Sequence, residues 1–262
     1  QAAITLGEKK AQEAVKPLLR ALKDQDENLR REAIRALKEI GDEEVVPELC
    51  QSLLNDTSHE VRAESAYALA YFSSSYDNVE SLFTALFNDN HYIVRQNVAF
   101  ALGKIERRLS IKHLIKALKE DPNYNVRKMA AWALGKMPDK RSLYPLLNAL
   151  NDEKISVRNN AAFALGLLED KKAVEDLKEH LTNPNESEKV AWALSHLLKS
   201  KQLTPLLKDA YKKLRRIKAY NDCFAIAKIL REVNPSEGKK LLLELDSQKE
   251  FNQFHDEIQT LL

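Results

Sequence analysis

The sequence predicts an all-α protein built as a solenoid, in which one two-helix unit of about 32 residues is repeated and stacked along the chain. One observation is composition, because 6 glycines and 8 prolines in 262 residues agree with helices joined by short loops. Another is a leucine that recurs about every 16 residues, in two interleaved series with steps of 31 to 33 residues that shorten to 29 at the end: Leu6, Leu22, Leu37, Leu53, Leu69, Leu86, Leu102, Leu118, Leu134, Leu150, Leu165, Leu181 and Leu194. A two-helix unit cannot bury its apolar face alone, so its copies must stack.

The first helix of each unit is short and apolar on one side. Its copies include VKPLLRAL, VVPELCQSLL, IKHLIKAL and LYPLLNAL, beginning at Val15, Val45, Ile111 and Leu143. We expect Pro17, Pro47 and Pro145 near the start of these helices, where a missing N–H costs least. The initial AAITLG matches the end of a second helix, so we expect the chain to begin inside a unit, with further repeats or another domain before Gln1.

The second helix of each unit carries the clearer pattern. Its copies read LRREAIRALKEI, VRAESAYALAYF, VRQNVAFALGKI, VRKMAAWALGKM and VRNNAAFALGLL, beginning at Leu29, Val61, Val94, Val126 and Val157. With the first residue as position zero, small or apolar residues fall at +4, +7, +8 and +11, which is one face of an α-helix. We expect the glycines that follow the +8 leucine to allow close helix packing, and Gly41 to end a helix. Those glycines are Gly103, Gly135 and Gly166.

Two columns of opposite charge accompany the repeat, with an arginine at +1 and an aspartate six residues before it. Because the aspartate lies in the turn inside the unit, we expect it to cap the coming helix. The arginine can reach a turn aspartate in its own or in the adjacent unit. Since the pair repeats in every unit, a structural ladder is favoured over a catalytic array. The pairs are Asp24 and Arg30, Asp56 and Arg62, Asp89 and Arg95, Asp121 and Arg127, and Asp152 and Arg158.

This pattern resembles the short HEAT-like repeats, including the class found in phycobilisome lyases. The resemblance covers residues 1–200, with a truncated first helix, five regular repeats and a degenerate sixth that has Glu186-Ser187 in place of the Val-Arg pair. It implies a right-handed α-solenoid whose second helices line a concave surface. It is specific for the fold and weak for function.

Beyond residue 200 the repeat rule is lost, although apolar periodicity still predicts helices. We interpret 201–262 as a divergent helical cap of the same solenoid, because a stack needs an atypical last unit to stop growing. This segment contains a basic stretch opposed only by Asp209. It is either a solvated helix face or a contact for an acidic partner, phosphate or nucleic acid. The patch comprises Lys208, Lys212, Lys213, Arg215 and Arg216.

Composition and motifs argue against several classes of function. The net charge of +2 gives no global case for nucleic-acid or membrane binding. There is no 18-residue apolar run or signal peptide, and we interpret Cys50 and Cys223 as reduced packing residues, so a cytoplasmic location is expected. His59-Glu60 is a lone His-Glu pair, and no phosphate loop or nucleophile motif occurs. We therefore predict no catalytic residue, no metal, no cofactor and no enzymatic activity.

An aromatic column occupies position +6 of successive second helices, roughly 140° around the helix from the core face. The column is Tyr67, Phe100, Trp132, Phe163 and Trp192. The rings either line a groove for a ligand or partner, or lie flat on neighbouring helices and brace the stack. Polar residues on the flanks extend the predicted binding face, namely Arg31, Gln96, Lys128, Asn159, Lys104, Lys136 and His196.

Three functions are compatible with this surface. The leading one is a non-enzymatic scaffold that binds a protein or peptide along the groove of second helices. The family resemblance implies a second, an accessory lyase or chaperone for bilins, in which a tetrapyrrole would stack on Trp132 and Phe100 near Lys128 or Arg31. The third is nucleic-acid binding, with bases stacked on the aromatic rings. The oligomeric state does not follow from the sequence.

Overall fold

The computed structural model describes residues 2–72, 77–247 and 253–262, and within these residues it contains α-helices and short 3-10 turns but no strand. The chain divides into two compact units, Gln1–Met137 and Pro138–Leu262. The predicted all-α repeat fold is therefore confirmed. The boundary that the sequence places at residue 200, between repeats and cap, stays a prediction.

The first unit contains four pairs of helices in two layers. Within it, α1 pairs with α2, α3 with α4, α5 with α6 and α7 with α8. The second helices form one layer, because α2 packs on α4, α4 on α6 and α6 on α8, while α3, α5 and α7 follow each other in the other layer. The helices are α1 (Ala2–Ala21), α2 (Glu27–Ile40), α3 (Val46–Asn55), α4 (His59–Leu69), α5 (Asp77–Asn88), α6 (Tyr92–Ile105), α7 (Ile111–Glu120) and α8 (Tyr124–Lys136).

The second unit continues the same pairing beyond residue 200. Its second helices again form a layer, because α10 packs on α12 and α12 packs on α14. The last helices pack in sequence, α13 on α14, α14 on α15 and α15 on α16. The helices are α9 (Leu143–Ala149), α10 (Ile155–Leu168), α11 (Val174–His180), α12 (Ser187–Leu197), α13 (Ser200–Arg216), α14 (Tyr220–Val233), α15 (Pro235–Asp246) and α16 (His255–Leu261).

The core lies where the periodicity of the second helices predicts it. In α8, for example, Val126, Ala130, Ala133 and Leu134 are all buried. The structure adds position +5, which the pattern did not include and which is buried in five consecutive second helices. The physical reason is that a second helix is covered by its own first helix and also by neighbouring second helices. The +5 residues are Ile34, Ala66, Ala99, Ala131 and Ala162.

Two of the three predicted packing glycines stand at contacts that exclude a side chain. A Cβ on Gly103 would lie 2.7 Å from Ala133 Cβ and 2.8 Å from Trp132 Cζ3. A Cβ on Gly166 would lie 2.8 Å from both Ala193 Cα and Trp192 Cζ3. The Trp132 and Trp192 rings of the +6 column therefore rest on the bare backbone of the preceding second helix. Gly41 ends α2 as expected, with φ +73° and its N–H bonded to the Leu37 carbonyl.

The start of the chain departs from the prediction. The sequence predicts that one helix ends with AAITLG and that another begins near Val15, with Pro17 in its first turn. This prediction is wrong, because α1 runs without interruption from Ala2 to Ala21 and holds Pro17 in its interior. The residues from Glu8 to Ala14 are good helix formers and include no turn residue, so nothing in them stops the helix. Pro47 lies in the first turn of α3, as predicted, and Pro145 is the third residue of α9.

Candidate functional site

The charged columns form an inter-repeat ladder, and its geometry decides which aspartate each arginine reaches. Arg30 Nε and Nη2 donate to the two carboxylate oxygens of Asp56 in the next repeat, at 2.8 and 2.9 Å. Its Nη1 donates to the carbonyl of Asp24 in its own turn at 2.9 Å. The hydrogen bond that Arg30 donates to Asp56 raises the pKa of Arg30 above its ordinary value. The arginine thus ties two consecutive turns together with one planar fork.

The same fork recurs along the first unit. Arg62 binds Asp89 at 2.6 and 3.1 Å, and Arg95 binds Asp121 at 2.7 and 3.0 Å. Arg127 Nη1 donates to the Asp121 carbonyl at 3.0 Å. These repeated contacts have the uniformity expected of a structural ladder.

The turn aspartates do not cap the helices directly, so that part of the prediction is wrong. Each aspartate carboxylate instead accepts from the backbone N–H two residues later, as Asp56 does from Ser58 at 2.8 Å. The residue two positions after the aspartate caps the helix in three cases. Asp26, Ser58 and Asn123 each accept through the side chain from an N–H group of the first turn. The aspartate therefore shapes the turn through Oδ1, while both of its carboxylate oxygens also accept from the arginine of the preceding repeat.

The ladder continues in the second unit with a substituted acceptor. Arg158 donates through Nε and Nη2 to Glu186 Oε1 at 2.9 and 2.6 Å, and through Nη1 to the Asp152 carbonyl at 2.6 Å. Asn183 stands 31 residues after Asp152, where the repeat would place an aspartate. Glu186, which the sequence marked only as a departure from the repeat, supplies the missing carboxylate from three residues further on.

In the first unit, the aromatic column is a continuous stack on the second-helix layer. Tyr67 stacks on Phe100 with ring centroids 5.5 Å apart and 14° between planes, and Phe100 stacks on Trp132 at 5.5 Å and 17°. All three rings are half-buried. Each ring packs against the next, so the stack braces consecutive second helices, and part of each ring stays exposed.

Lysines lie close to these rings. Lys38 Nζ is 5.1 Å from the Tyr67 ring centre and 5.2 Å from that of Tyr71, and Lys136 Nζ is 5.6 Å from the Trp132 ring centre. Lys104 Nζ is 6.0 Å from the Tyr71 ring centre. These are cation–π distances. The sequence predicts Lys104 and Lys136 as part of the binding face but not Lys38. Lys38 lies on α2, and the rings that it approaches, Tyr67 and Tyr71, belong to the next repeat.

The remaining flanking residues are divided between internal contacts and the surface. Arg31 forms an ion pair with Glu60, and Asn159 Nδ2 donates to the Asn185 carbonyl at 3.0 Å. Gln96 and Lys128 are half-buried. Arg31 and Asn159 therefore already serve the repeat stack, which reduces what they can offer a partner.

The second unit contains a recess lined by aromatic rings, which we call the aromatic groove and define by Phe163, Trp192, Phe224 and Phe254. Phe163 stacks on Trp192 at 4.5 Å, and Phe224 stacks on Phe254 at 4.7 Å. The cavity measures about 370 Å³. Its charged rim carries both signs, with Glu188, Lys189, Lys228, Glu232 and Glu257.

The sequence predicts Phe163 and Trp192 as binding residues but not Phe224 or Phe254. Phe224 stands 32 residues after Trp192, so the period of the repeat continues into α14 although the Val-Arg and Ala-Leu signatures have gone. That spacing was a readable signal for Phe224. Phe254 precedes α16 and reaches the groove through packing alone. His196 lies beside the groove, with its ring 4.0 Å from that of Trp192.

The basic patch on α13 is less one-sided than the sequence suggested. Asp209 pairs with Lys213 at 2.8 Å, as the sequence allowed. The expectation that Asp209 is the only opposing charge is wrong, because α15 supplies Glu237 to Lys208 and Glu244 to Arg215. These carboxylates come from the next helix pair, so a reading of α13 alone could not include them.

Within the residues that the structure describes, no group of three or more His, Cys, Asp or Glu side chains is placed to hold a metal ion. His59 packs its ring against that of His91 at 3.7 Å. None of the described helices combines the length and the apolar character needed to span a bilayer. Cys50 and Cys223 are buried thiols, and burial raises the pKa of Cys223 to about 11.

Comparison with known proteins agrees with the repeat architecture. The sequence profile for HEAT repeats matches residues 1–70, 46–109, 79–154, 111–197 and 143–219. No curated protein sequence matches the chain significantly.

Similar solved structures include the Escherichia coli protein YibA, at 20% identity over 96% of each chain with a TM-score of 0.61. Importin β is similar at 14% identity over 94% of this chain and 41% of that one, with a TM-score of 0.63. The complex of CpcE and CpcF of phycocyanin lyase from Nostoc sp. PCC7120 is similar at 24% identity over 59% of this chain and 100% of that one, with a TM-score of 0.50. At these identities the likeness shows the fold alone.

Proposed function

Since the chain belongs to the HEAT-repeat family, we propose that it is a non-enzymatic scaffold that binds a segment of a partner protein along the face of its second helices. The aromatic groove of the second unit is the main anchor point. The observation that carries this proposal is a cavity of about 370 Å³ lined by four aromatic rings and rimmed by charges. Clustered aromatic side chains in a recess, surrounded by polar groups, are the usual composition of a binding hot spot.

The size of the groove favours a peptide with an apolar anchor. A recess of this volume holds one or two large side chains rather than a whole domain. A helix or an extended segment can place such side chains in a groove while its remaining length follows the helix layer. The Phe163–Trp192 and Phe224–Phe254 stacks supply flat apolar surfaces for that anchor.

The charges of the rim favour a peptide over the two alternative ligands. Three carboxylates and two lysines line the cavity, the carboxylates being Glu188, Glu232 and Glu257. These carboxylates oppose the phosphates of a nucleic acid and the propionates of a bilin. A peptide brings both donors and acceptors, and its side chains can match both signs of charge.

The aromatic stack of the first unit supplies a second contact of different character. Its rings are accompanied by lysines, with Lys136 beside Trp132 and Lys38 beside Tyr67. We infer that this stack braces the repeats and also presents exposed ring edges to a partner.

The proposal is tested with the full chain as bait for a phage-displayed library of random 12-residue peptides, a length that gives about three turns of helix. Trp132→Phe leaves Trp192 as the only tryptophan, because the sequence contains two. Peptides that enter the groove should share an apolar anchor residue and shift the emission of Trp192.

The decisive variant is Phe163→Ala combined with Phe254→Ala. Loss of buried anchors should weaken the selected peptides about thirtyfold or more. The matched control is Tyr144→Ala on the first helix α9, because Tyr144 is an exposed ring outside the groove. Circular dichroism checks that helicity is kept.

Failure to enrich peptides, or equal binding to the groove variant and the parent, would refute the proposal. A new visible absorption band on mixing with biliverdin would favour the bilin alternative. Tight binding of a single-stranded oligonucleotide that weakens steeply with salt would favour the nucleic-acid alternative.

A further inference from the structure

A second recess, separate from the aromatic groove, lies between α13 and α15. We call it the basic cavity and define it by its lining residues. Its volume is about 480 Å³. Most of its lining comes from consecutive turns of one face of α13, and α15 closes the other side. The lining residues are Lys208, Tyr211, Lys212, Arg215, Arg216, Leu241 and Glu244.

The charge of this recess is positive even after its internal ion pairs are counted. Lys208 is paired with Glu237, and Arg215 with Glu244. Lys212 and Arg216 are exposed and form no ion pair within the described residues. Four cationic side chains and a single carboxylate therefore line the cavity, with two of the cations unneutralised.

The Tyr211 hydroxyl is the second observation that points to a ligand. Tyr211 is 2% exposed and lines the cavity, yet its hydroxyl has no hydrogen-bond partner within the described residues. Buried polar groups are normally satisfied, so an unpartnered hydroxyl calls for an acceptor. Burial raises the pKa of Tyr211 far above its ordinary value, so the hydroxyl stays protonated and can donate a hydrogen bond.

We propose that the basic cavity binds a phosphate monoester. Such a group carries close to two negative charges at neutral pH and has three acceptor oxygens. Lys212 and Arg216 match the charge, and the Tyr211 hydroxyl supplies a neutral donor. The Arg215 guanidinium can release Glu244 and bind phosphate oxygens, since that ion pair is about 40% exposed on both sides.

The shape of the site favours a terminal phosphate over a phosphodiester chain. A recess between two helices admits the end of a ligand, whereas a continuous nucleic-acid strand requires an open basic track. Glu244 and the paired Glu237 and Asp209 also interrupt the positive charge around the cavity. The phosphate can come from a free phosphate compound or from a phosphorylated side chain of a partner.

Binding is measured by isothermal titration of the full chain with two probes, inorganic phosphate and a short peptide centred on phosphoserine. The unphosphorylated peptide is the ligand control. Binding of both phosphate probes supports the site with a free compound as a sufficient ligand, and binding of the phosphopeptide alone supports it with a partner's side chain as the source. The proposal is overturned if neither inorganic phosphate nor the phosphopeptide binds.

Four variants locate the bound phosphate. Lys212→Gln with Arg216→Gln should weaken binding about tenfold or more, since two charge-assisted contacts are lost. Tyr211→Phe should weaken binding severalfold while thermal stability stays equal or rises, because it removes an unsatisfied group. Glu244→Gln should strengthen binding, because it frees Arg215. Lys199→Gln with Lys201→Gln removes equal charge outside the cavity and should change little.

An increase in affinity in Glu244→Gln cannot arise from misfolding, so that variant keeps the test valid if another variant is unstable. Equal weakening by the cavity pair and by the Lys199 and Lys201 pair would reduce the effect to net charge and overturn the proposal. Unchanged affinity in Tyr211→Phe together with unchanged affinity in Glu244→Gln would likewise overturn it.

Discussion

The ladder of the first unit and the ion pairs between α13 and α15 use the same chemistry at different depths. Arg95 and Asp121, 26 residues apart, have side chains only 11% and 6% exposed. Arg215 and Glu244, 29 residues apart, are 41% and 40% exposed. Each pair joins neighbouring helix pairs. The difference shows that the spacing of opposite charges identifies a contact between repeats, while burial decides whether the contact stabilises the stack.

Additional partners explain why the buried pairs matter more. Besides its two bonds to Asp121, Arg95 donates to the Asp89 carbonyl at 2.9 Å, and Asp121 accepts from the Asn123 N–H at 2.9 Å. Every polar atom that leaves water is thus compensated, which a buried ion pair requires. The exposed pairs keep contact with water, so they gain little from forming.

The largest effect is expected from breaking one rung of the buried ladder. Asp121→Ala leaves the buried Arg95 fork without its carboxylate and removes the acceptor for the Asn123 N–H. We expect the free energy of unfolding to fall by about 3 kcal/mol, as when one partner of a buried ion pair is removed. The measurement is chemical denaturation followed by circular dichroism.

Asp121→Asn provides the matched control, because its amide oxygen can still accept from Asn123 while the negative charge is lost. The free energy of unfolding of Asp121→Asn should lie between those of the parent and Asp121→Ala. A change below about 1 kcal/mol in Asp121→Ala, which is typical of an exposed pair, would remove the distinction between the two regions.

A much smaller effect is expected from the equivalent change in the exposed region. Glu244→Ala breaks the ion pair with Arg215, both of whose side chains stay in water. The free energy of unfolding should change by less than about 1 kcal/mol. Denaturation under the conditions used for Asp121→Ala gives a direct comparison, and a loss as large as that of Asp121→Ala would show that the exposed pair also holds the stack together.

The smallest effect concerns the acid titration of the exposed region. Hydrogen bonds from Lys208 and then Lys240 lower the pKa of Glu237 from its ordinary value of 4.5 to about 2. Because the folded-state pKa is depressed, the stabilisation is present above pH 4.5 and is lost as pH falls towards 2. Solvent exposure keeps this contribution small and sensitive to salt.

Carbon-13 NMR titration of the Glu237 carboxyl should show the depressed pKa, and Lys208→Met should move it back towards 4.5. Lys199→Met is the control, since Lys199 is not a cause of the shift. A pKa near the ordinary value in the parent chain would mean that the exposed pairs are weaker than the geometry indicates.

Sequence periodicity was sufficient for the repeat, its core face and the identity of most ladder residues. Positions +4 and +8 are buried in all five regular second helices, and +7 in four of them, because a helix that packs on one side must place its apolar residues at that spacing. Gly103 and Gly166 could be assigned to close packing because they recur at one position of the repeat. A feature that every repeat needs leaves a periodic mark in the sequence.

Tertiary structure decided which partner each repeated residue meets and where the groove lies. Arg30 could reach either of two aspartates by spacing, and only the stacking geometry selects Asp56. Phe254 joins Phe224, and Glu244 joins Arg215, because α16 and α15 fold back onto helices that precede them. The residues that make these contacts lie outside the Val-Arg and Ala-Leu signatures, so the repeat rule does not identify them. The contacts arise from the packing of non-repeated helices, which depends on side-chain shape and burial across distant segments rather than on a local pattern.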